Sequence, residues 1–349
     1  MRTVRAWSGV IDAYREFLPP IERAVTLHEG ATPLVPSENI SRRMGRRVWL
    51  KLEGSNPTGS FKDRGMTVAV SRAAGEGLRG VICASTGNTA AAAAAYATRA
   101  GLRCVILLPA AAGAVARGKL VQAVAHGARV LAIEGGFEQA LDLAREASAA
   151  CGLALVNSLN PLRLEGQTTA AFEICDALDR APATLVLPVG NGGNITAYWM
   201  GFTRYWEARR IEQRPRLVGV QAEGASPLVR GAPVARPDTV ASAIRIGRPA
   251  NWEAAVEAAT ASGGKFIAVP DAEITEAQRA LAAEGIFVEP ASAAAVAGVW
   301  RLGADASEEG ELVCVLTGHG LKDPDAVPRA EPTRVTADLD AVCKAIGEG

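Results

Sequence analysis

From residue 47 onward, short apolar runs bounded by polar or glycine-containing turns alternate with segments of helical length. The runs at 48–52, 80–84, 103–108, 128–133, 154–157, 184–189, 217–221, 266–269 and 312–316 are apolar through most of their length. That is the pattern of strands buried on both faces. Between them lie segments such as 88–99, 137–149 and 166–178, each long enough for a helix. The alternation predicts an α/β fold, with parallel-type sheets and helices on both faces. Residues 223–249, rich in Gly, Pro, Ala and Arg, break the pattern. They predict a long irregular excursion to which the sequence assigns no role.

In such folds ligands bind beyond the carboxyl ends of strands, where loops lead into helix N-termini. The first of these junctions is Asn56-Pro57-Thr58-Gly59-Ser60-Phe61-Lys62-Asp63-Arg64-Gly65. It places Lys62 on a glycine-containing turn at the start of a helix over 63–74. A helix N-terminus disfavours the charged form of an amine, which suits a nucleophile. The competing reading is a surface lysine in a Lys-Asp-Arg charge cluster. The second junction, Ala84-Ser85-Thr86-Gly87-Asn88-Thr89, offers backbone N–H groups and the hydroxyls of Ser85, Thr86 and Thr89 to a carboxylate. Its plain alternative is an ordinary Ser or Thr cap.

The third junction is Val189-Gly190-Asn191-Gly192-Gly193-Asn194, ahead of a helix from Ile195. Its glycines let several N–H groups converge on one anion, and a phosphate is the natural guest. A simple tight turn is the alternative. Gly75-Glu76-Gly77-Leu78-Arg79-Gly80 matches the dinucleotide spacing but follows a helix and precedes a strand, so it reads as C-capping glycines. Two later strand ends remain. Leu316-Thr317-Gly318-His319-Gly320-Leu321-Lys322-Asp323-Pro324 offers the Thr317 hydroxyl, with His319 read as a solvent-facing loop residue rather than a base. The stretch from Asn157 to Gln167 supplies Ser158, amides and Arg163, equipment for a second anion. Its alternative is a capped turn with one exposed salt bridge.

Composition narrows the classes. The 349 residues can build two domains, or one large one. Lys+Arg and Asp+Glu are both 37, and the Arg209-Arg210 pair is too short to make a basic stripe, so no nucleic-acid partner is expected. The six alanines at 90–95 form an apolar run too short for a bilayer, and the N-terminus lacks a signal-peptide core. The expectation is a soluble cytoplasmic protein with no membrane partner. Six scattered cysteines predict neither disulfides nor a zinc site, and His28, His126 and His319 lack ligand spacing, so no metal is expected.

In order and content, Gly-Ser-Phe-Lys-Asp-Arg-Gly around Lys62, Ser-Thr-Gly-Asn-Thr, Gly-Asn-Gly-Gly-Asn and Thr-Gly-His-Gly-Leu-Lys-Asp-Pro together resemble the threonine synthases, more closely their shorter bacterial group. The resemblance runs from about Glu29 to Pro324 and includes Glu289-Pro290-Ala291-Ser292-Ala293-Ala294. These enzymes belong to the tryptophan-synthase-β-like, fold type II pyridoxal-phosphate enzymes. The resemblance implies a homodimer and a two-domain fold. The smaller domain would span 66–156 and the larger 1–65 with 157–349, the cofactor lying in the cleft between them.

It further implies that Lys62 is the Schiff-base lysine of pyridoxal 5'-phosphate and that Asn88 contacts the cofactor's phenolic oxygen. Gly190, Asn191, Gly192, Gly193 and Asn194 would cradle its phosphate, and Thr317 would face its pyridine nitrogen. Ser85, Thr86 and Thr89 would hold the substrate carboxylate, while Thr89, Ser158, Arg163 and Asn191 would line a pocket for the substrate phosphate. The implied reaction converts O-phospho-L-homoserine and water to L-threonine and phosphate. Serine or threonine dehydratases and cysteine synthases share the lysine and the phosphate loop, and are the alternatives on this fold. A non-catalytic protein binding a phosphorylated ligand would not need Lys62.

Overall fold

The computed structural model describes residues 6–110, 120–303, 310–327 and 331–347. Among the described residues ten strands form two sheets: β1 (Leu34–Pro36), β2 (Val48–Leu52), β3 (Gly80–Ala84), β4 (Arg103–Pro109), β5 (Arg129–Ile133), β6 (Leu153–Leu155), β7 (Thr184–Pro188), β8 (Arg216–Ala222), β9 (Lys265–Val269) and β10 (Leu312–Leu316). The six-stranded sheet runs β1-β2-β10-β7-β8-β9 and the four-stranded sheet β5-β4-β3-β6. Every pairing is parallel except β1 with β2, an antiparallel edge too short to register as an apolar run.

The apolar runs form strands because both sheet faces are covered. Along β7 and β10, Leu185, Leu187, Val313 and Val315 enter one core, while Val186, Leu312, Cys314 and Leu316 enter the opposite one. The same alternation splits Val81 and Cys83 from Ile82 and Ala84 on β3. A period-two chain apolar on both faces has no solvated side to show polar residues. The alanines at 90–95 are all buried, and they let the Asn88–Arg99 helix lie close over β3 and β4.

Two expectations change in detail. The strand expected at 154–157 closes at Leu155, because Asn157 turns its side-chain amide back on β3, accepting from Ala84 N at 3.0 Å and donating to Ala84 O at 2.9 Å. One helix was expected over 166–178, but two helices stand there, Pro161–Gln167 and Thr169–Leu178. The first starts early because Asn160 caps it, accepting from Leu162 N at 2.9 Å, with proline in its first turn. The Gly75–Gly80 segment does close the preceding helix, Gly77 standing at φ 70°.

Candidate active site

A cavity of about 460 Å³ opens where the carboxyl ends of strands from both sheets meet, lined by loops after β3, β6, β7 and β10. All thirteen residues singled out from the sequence line it: Lys62, Ser85, Thr86, Asn88, Thr89, Ser158, Arg163, Gly190, Asn191, Gly192, Gly193, Asn194 and Thr317. His319 is not among them. Its Nδ1 accepts from Leu321 N at 3.2 Å, and its ring stands edge-on to Phe287.

Lys62 opens the Lys62–Gly75 helix, and its turn is fastened to the six-stranded sheet. Phe61 N donates to the Thr317 carbonyl at 3.0 Å, and Ser60 bridges Gly318. Thr58 donates from both its backbone N, at 2.7 Å, and its hydroxyl to the Asp63 carboxylate, closing the loop ahead of the helix. Asp63 and Arg64 are fully buried, so the Lys-Asp-Arg triplet is not a solvated surface cluster. Arg64 donates to Glu53 at 2.7 and 2.8 Å and to Glu173 at 2.7 Å, and Lys51 Nζ donates to Glu173 at 2.7 Å. Two cations thus meet two carboxylates, with further hydrogen bonds to Thr32, Thr169, Asn56 and the Ala31 N–H. Removing one member would leave the others charged and unpaired in the interior, a strongly unfavourable state. That interdependence anchors the first turn of the lysine helix.

Burial holds the Lys62 amine down to about 7, the nearby Arg163 cation pushing the same way and Glu289 opposing it. A large fraction is therefore neutral and nucleophilic near pH 7. The expected cause, the helix N-terminus, is joined here by desolvation and by a specific like charge that only folding brings close.

Arg163 is 1 % exposed, so the alternative of an exposed salt bridge fails. Its Nη1 donates to Val156 O at 3.1 Å, while Nε and Nη2 are buried without a partner. Burial brings its pKa down to about 10, which leaves it cationic at neutral pH. A buried guanidinium with two idle donors on a cavity wall is built for an anion.

Two helices aim uncapped N-termini at the same space. Gly87 precedes the Asn88–Arg99 helix with no side-chain cap, so Ser85 and Thr86 are not spent as caps; the Ser85 hydroxyl accepts from Gly87 N at 3.2 Å. Gly192, at φ 82°, precedes the Gly193–Glu207 helix in the same way. A Cβ on Gly192 would stand 2.8 Å from the Asn251 carbonyl oxygen, so the loop's tight path requires glycine there. Asn194 Nδ2 is buried nearby without a partner. Free N–H groups, a helix dipole and an idle amide fit a phosphate group, and the amine of Lys62 fits an aldehyde. The donor set thus suits pyridoxal phosphate. Among the described residues no group of three or more His, Cys, Asp or Glu could hold a metal ion.

Several lining or supporting residues carried no role in the sequence. Glu289 accepts from Asn88 Nδ2 with both carboxylate oxygens at 3.1 Å, fixing that amide. Ser292 lies 3.2 Å from the Thr317 hydroxyl and accepts from Gly318 N at 2.8 Å. Asn251 donates from Nδ2 to Asn191 O at 3.2 Å and to Ser158 O at 3.4 Å. The Glu-Pro-Ala-Ser stretch was the one signal for the first two. Asn251 had none, being a lone amide after an irregular segment.

Residues 25–318 match the family model for pyridoxal-phosphate dependent enzymes. The chain is 53% identical to a threonine synthase of Synechocystis sp., over 98% of this chain and 91% of that one. It is 52% identical to a threonine synthase of Mycobacterium tuberculosis, over 97% and 96%. Among solved structures, the processed form of threonine deaminase isoform 2 from Solanum lycopersicum superposes with a TM-score of 0.72 at 24% identity, over 92% of this chain and 84% of that one.

Proposed function

The chain belongs to the pyridoxal-phosphate-dependent enzymes and, within them, to the threonine synthase family, and from this we infer that it converts O-phospho-L-homoserine and water to L-threonine and phosphate, the last step of threonine biosynthesis. It is a pyridoxal-phosphate-dependent carbon–oxygen lyase acting on a phosphate ester. The observation within the cavity that favours this reaction over dehydration of serine or threonine is the second anion site. The loop at 190–194 accounts for one phosphate, and the idle donors of Arg163 await another.

In this reading Lys62 would hold the cofactor covalently, the Gly190, Asn191, Gly192, Gly193 and Asn194 loop would hold its phosphate, Asn88 would meet its phenolic oxygen and Thr317 its pyridine nitrogen. The bound cofactor supplies an electron sink for charge developing on the substrate carbon skeleton. Ser85, Thr86 and Thr89, at an uncapped helix N-terminus, hold the substrate carboxylate. The Lys62 Nζ amine would take the proton from Cα and move protons at the neighbouring carbons. Arg163, with Ser158, Thr89 and Asn191, holds the phosphate as its bond to Cγ breaks. Water then supplies the hydroxyl at Cβ.

The domain division into 66–156 and the flanking 1–65 with 157–349 is part of the same reading, supported by the separate four-stranded sheet within the first range. So are assembly as a homodimer and residence in the cytoplasm; no helix among the described residues is long and apolar enough to cross a membrane. Phosphate release should be measured with O-phospho-L-homoserine, and ammonia or acetate release with serine, threonine and O-acetylserine, in the wild type and Lys62→Ala. The reading requires turnover of the phosphorylated substrate, a visible absorption band abolished by borohydride, and loss of both in the variant. Preferential turnover of serine or threonine would replace it with the dehydratase alternative.

A further inference from the structure

The excursion at 223–249 reaches the cavity through residues 242–246: the short turn Ser242–Ile244 and the two residues that follow it, Arg245 and Ile246, line the cavity wall. This turn is firmly seated. Ala241 and Ile244 are buried in the core on one face of the six-stranded sheet. A Cβ on Gly190 would lie 3.1 Å from Ile244 Cα and 3.3 Å from Ala243 O, so the turn rests directly on the glycine loop. From its other end, Ser242 donates to Asp323 Oδ2 at 2.5 Å, which ties the turn to the loop that carries Thr317. Just beyond the excursion, Ala250 N donates to the Asn191 side chain at 3.2 Å, and Asn251 joins the Asn191 and Ser158 carbonyls.

Arg245 is therefore an exposed guanidinium on an immobilised backbone at the cavity edge, and among the described residues no carboxylate pairs with it. The charged residues lining the cavity are Lys62, Arg163, Arg245 and Lys322 against Glu289 alone. That excess of cations stands in a chain whose formal charge is zero. Lys322 Nζ is committed to Thr58 O at 3.1 Å and Gln122 Oε1 at 2.6 Å, and Lys62 is the reacting amine. Two guanidinium groups remain, one buried and one at the rim. A phosphate monoester presents three terminal oxygens, and Arg163 has only two idle nitrogens. The glycine loop, with its backbone N–H groups and helix dipole, serves a phosphate without a cationic side chain.

We propose that Arg245 is a specificity-determining residue that binds the solvent-side oxygens of the substrate's phosphate, completing from the rim the site that Arg163 forms from within. The proposal rests on the threonine synthase reading above. Such a residue favours phosphorylated over unphosphorylated amino acids, because only the former present a dianion to it.

The test uses the cofactor-loaded wild type, Arg245→Ala and Arg245→Lys. It measures KM and kcat for O-phospho-L-homoserine, inhibition by inorganic phosphate, spectral binding of L-threonine and cofactor occupancy. In Arg245→Ala, KM should rise about 10- to 100-fold, as expected when a charge-assisted hydrogen bond to the ligand is removed. Phosphate inhibition should weaken by a similar factor, kcat should stay within a few-fold, and L-threonine binding and cofactor occupancy should be unchanged. Lysine should restore part of the affinity. Unchanged KM and phosphate inhibition would overturn the proposal, leaving the reading of the reaction intact. Loss of cofactor would overturn it by giving Arg245 to the cofactor's phosphate, and an equal loss of L-threonine binding would overturn it by making the turn merely structural. A wild type that does not turn over O-phospho-L-homoserine would remove the reading and the proposal together.

Discussion

Gly166 and Gly65 meet where two helices cross so closely that a Cβ on Gly166 would lie 1.9 Å from the Arg64 carbonyl oxygen and 2.9 Å from Gly65 Cα. The reverse approach is as tight, a Cβ on Gly65 standing 2.6 Å from the Arg163 carbonyl oxygen. One helix begins with Lys62 and the other carries Arg163, so this crossing sets how far the amine stands from the guanidinium. Both obstacles are backbone, which cannot rotate aside. Gly166→Ala should therefore force the helices apart, cost about 1–3 kcal/mol of stability and lower kcat/KM. Gly75→Ala, at the far end of the lysine helix, where a Cβ would meet nothing within 4 Å, is the control. Denaturant midpoints of the two variants check this; equal midpoints would show that the crossing yields freely.

The Lys62 amine should titrate near 7 in the cofactor-free protein, and two neighbours should move it in opposite directions. Arg163 favours the neutral amine and Glu289 the charged one. Arg163→Leu should raise the midpoint, and Glu289→Gln should lower it. The pH dependence of Lys62 acylation, followed on its peptide by mass spectrometry, reads this directly. Shifts of the same sign in both variants, or a wild-type midpoint near 10.5, would contradict the electrostatic account.

Arg163→Leu should retain cofactor while its kcat/KM for O-phospho-L-homoserine falls by about one to two orders of magnitude, the scale of one charge-assisted hydrogen bond to the phosphate. Binding of unphosphorylated amino acids, followed by absorbance, should persist. A variant that binds cofactor and keeps wild-type kcat/KM would put the substrate phosphate elsewhere.

His319→Asn should keep most of its activity. The ring nitrogen accepts from Leu321 N as a cap of the short turn at 320–322, and an asparagine oxygen can accept there instead. A several-hundredfold fall in kcat with the cofactor still bound would assign the histidine a chemical role.

Acid should unfold the protein partly through Glu173. Burial favours its protonated form, but Arg64 and Lys51 prevail and hold it down to about 2, below the ordinary 4.5. Because the folded value is the lower one, the stabilisation is complete above about pH 4.5 and drains away as pH falls toward 2. Lys51→Met should bring the folded value closer to 4.5, so that less stability is lost in acid and the loss is complete at a higher pH. Unfolding midpoints measured across this range for the two proteins decide the point, and coincident profiles would remove Glu173 as the responsible group.

The parallel sheets were legible because strands such as β7 and β10, apolar on both faces, leave a continuous run that no solvated strand would show. Lys62 and the glycine loop were legible because the path of the turn restricts the residue types that can occupy it. The edge strand β1 escaped notice, its three residues being too few to set a period. Glu289, Ser292, Asn251 and Arg245 went unassigned for another reason. Each acts on a partner at least 25 residues away in sequence or on the shared cavity, and a solitary polar residue looks alike whether it faces water or a site.

By itself, then, the sequence determined the strand–helix order, the strand ends where chemistry collects and the family the motifs point to, because these depend on local periodicity and on backbone conformations that few residues permit. Tertiary structure alone decided that Arg163 is buried with idle donors rather than paired at the surface, that Lys62 stands at about 7, and that a segment without any motif mounts Arg245 at the cavity edge. Burial and electrostatic coupling depend on distances between residues remote along the chain, and those distances exist only once the two sheets have packed around the cavity.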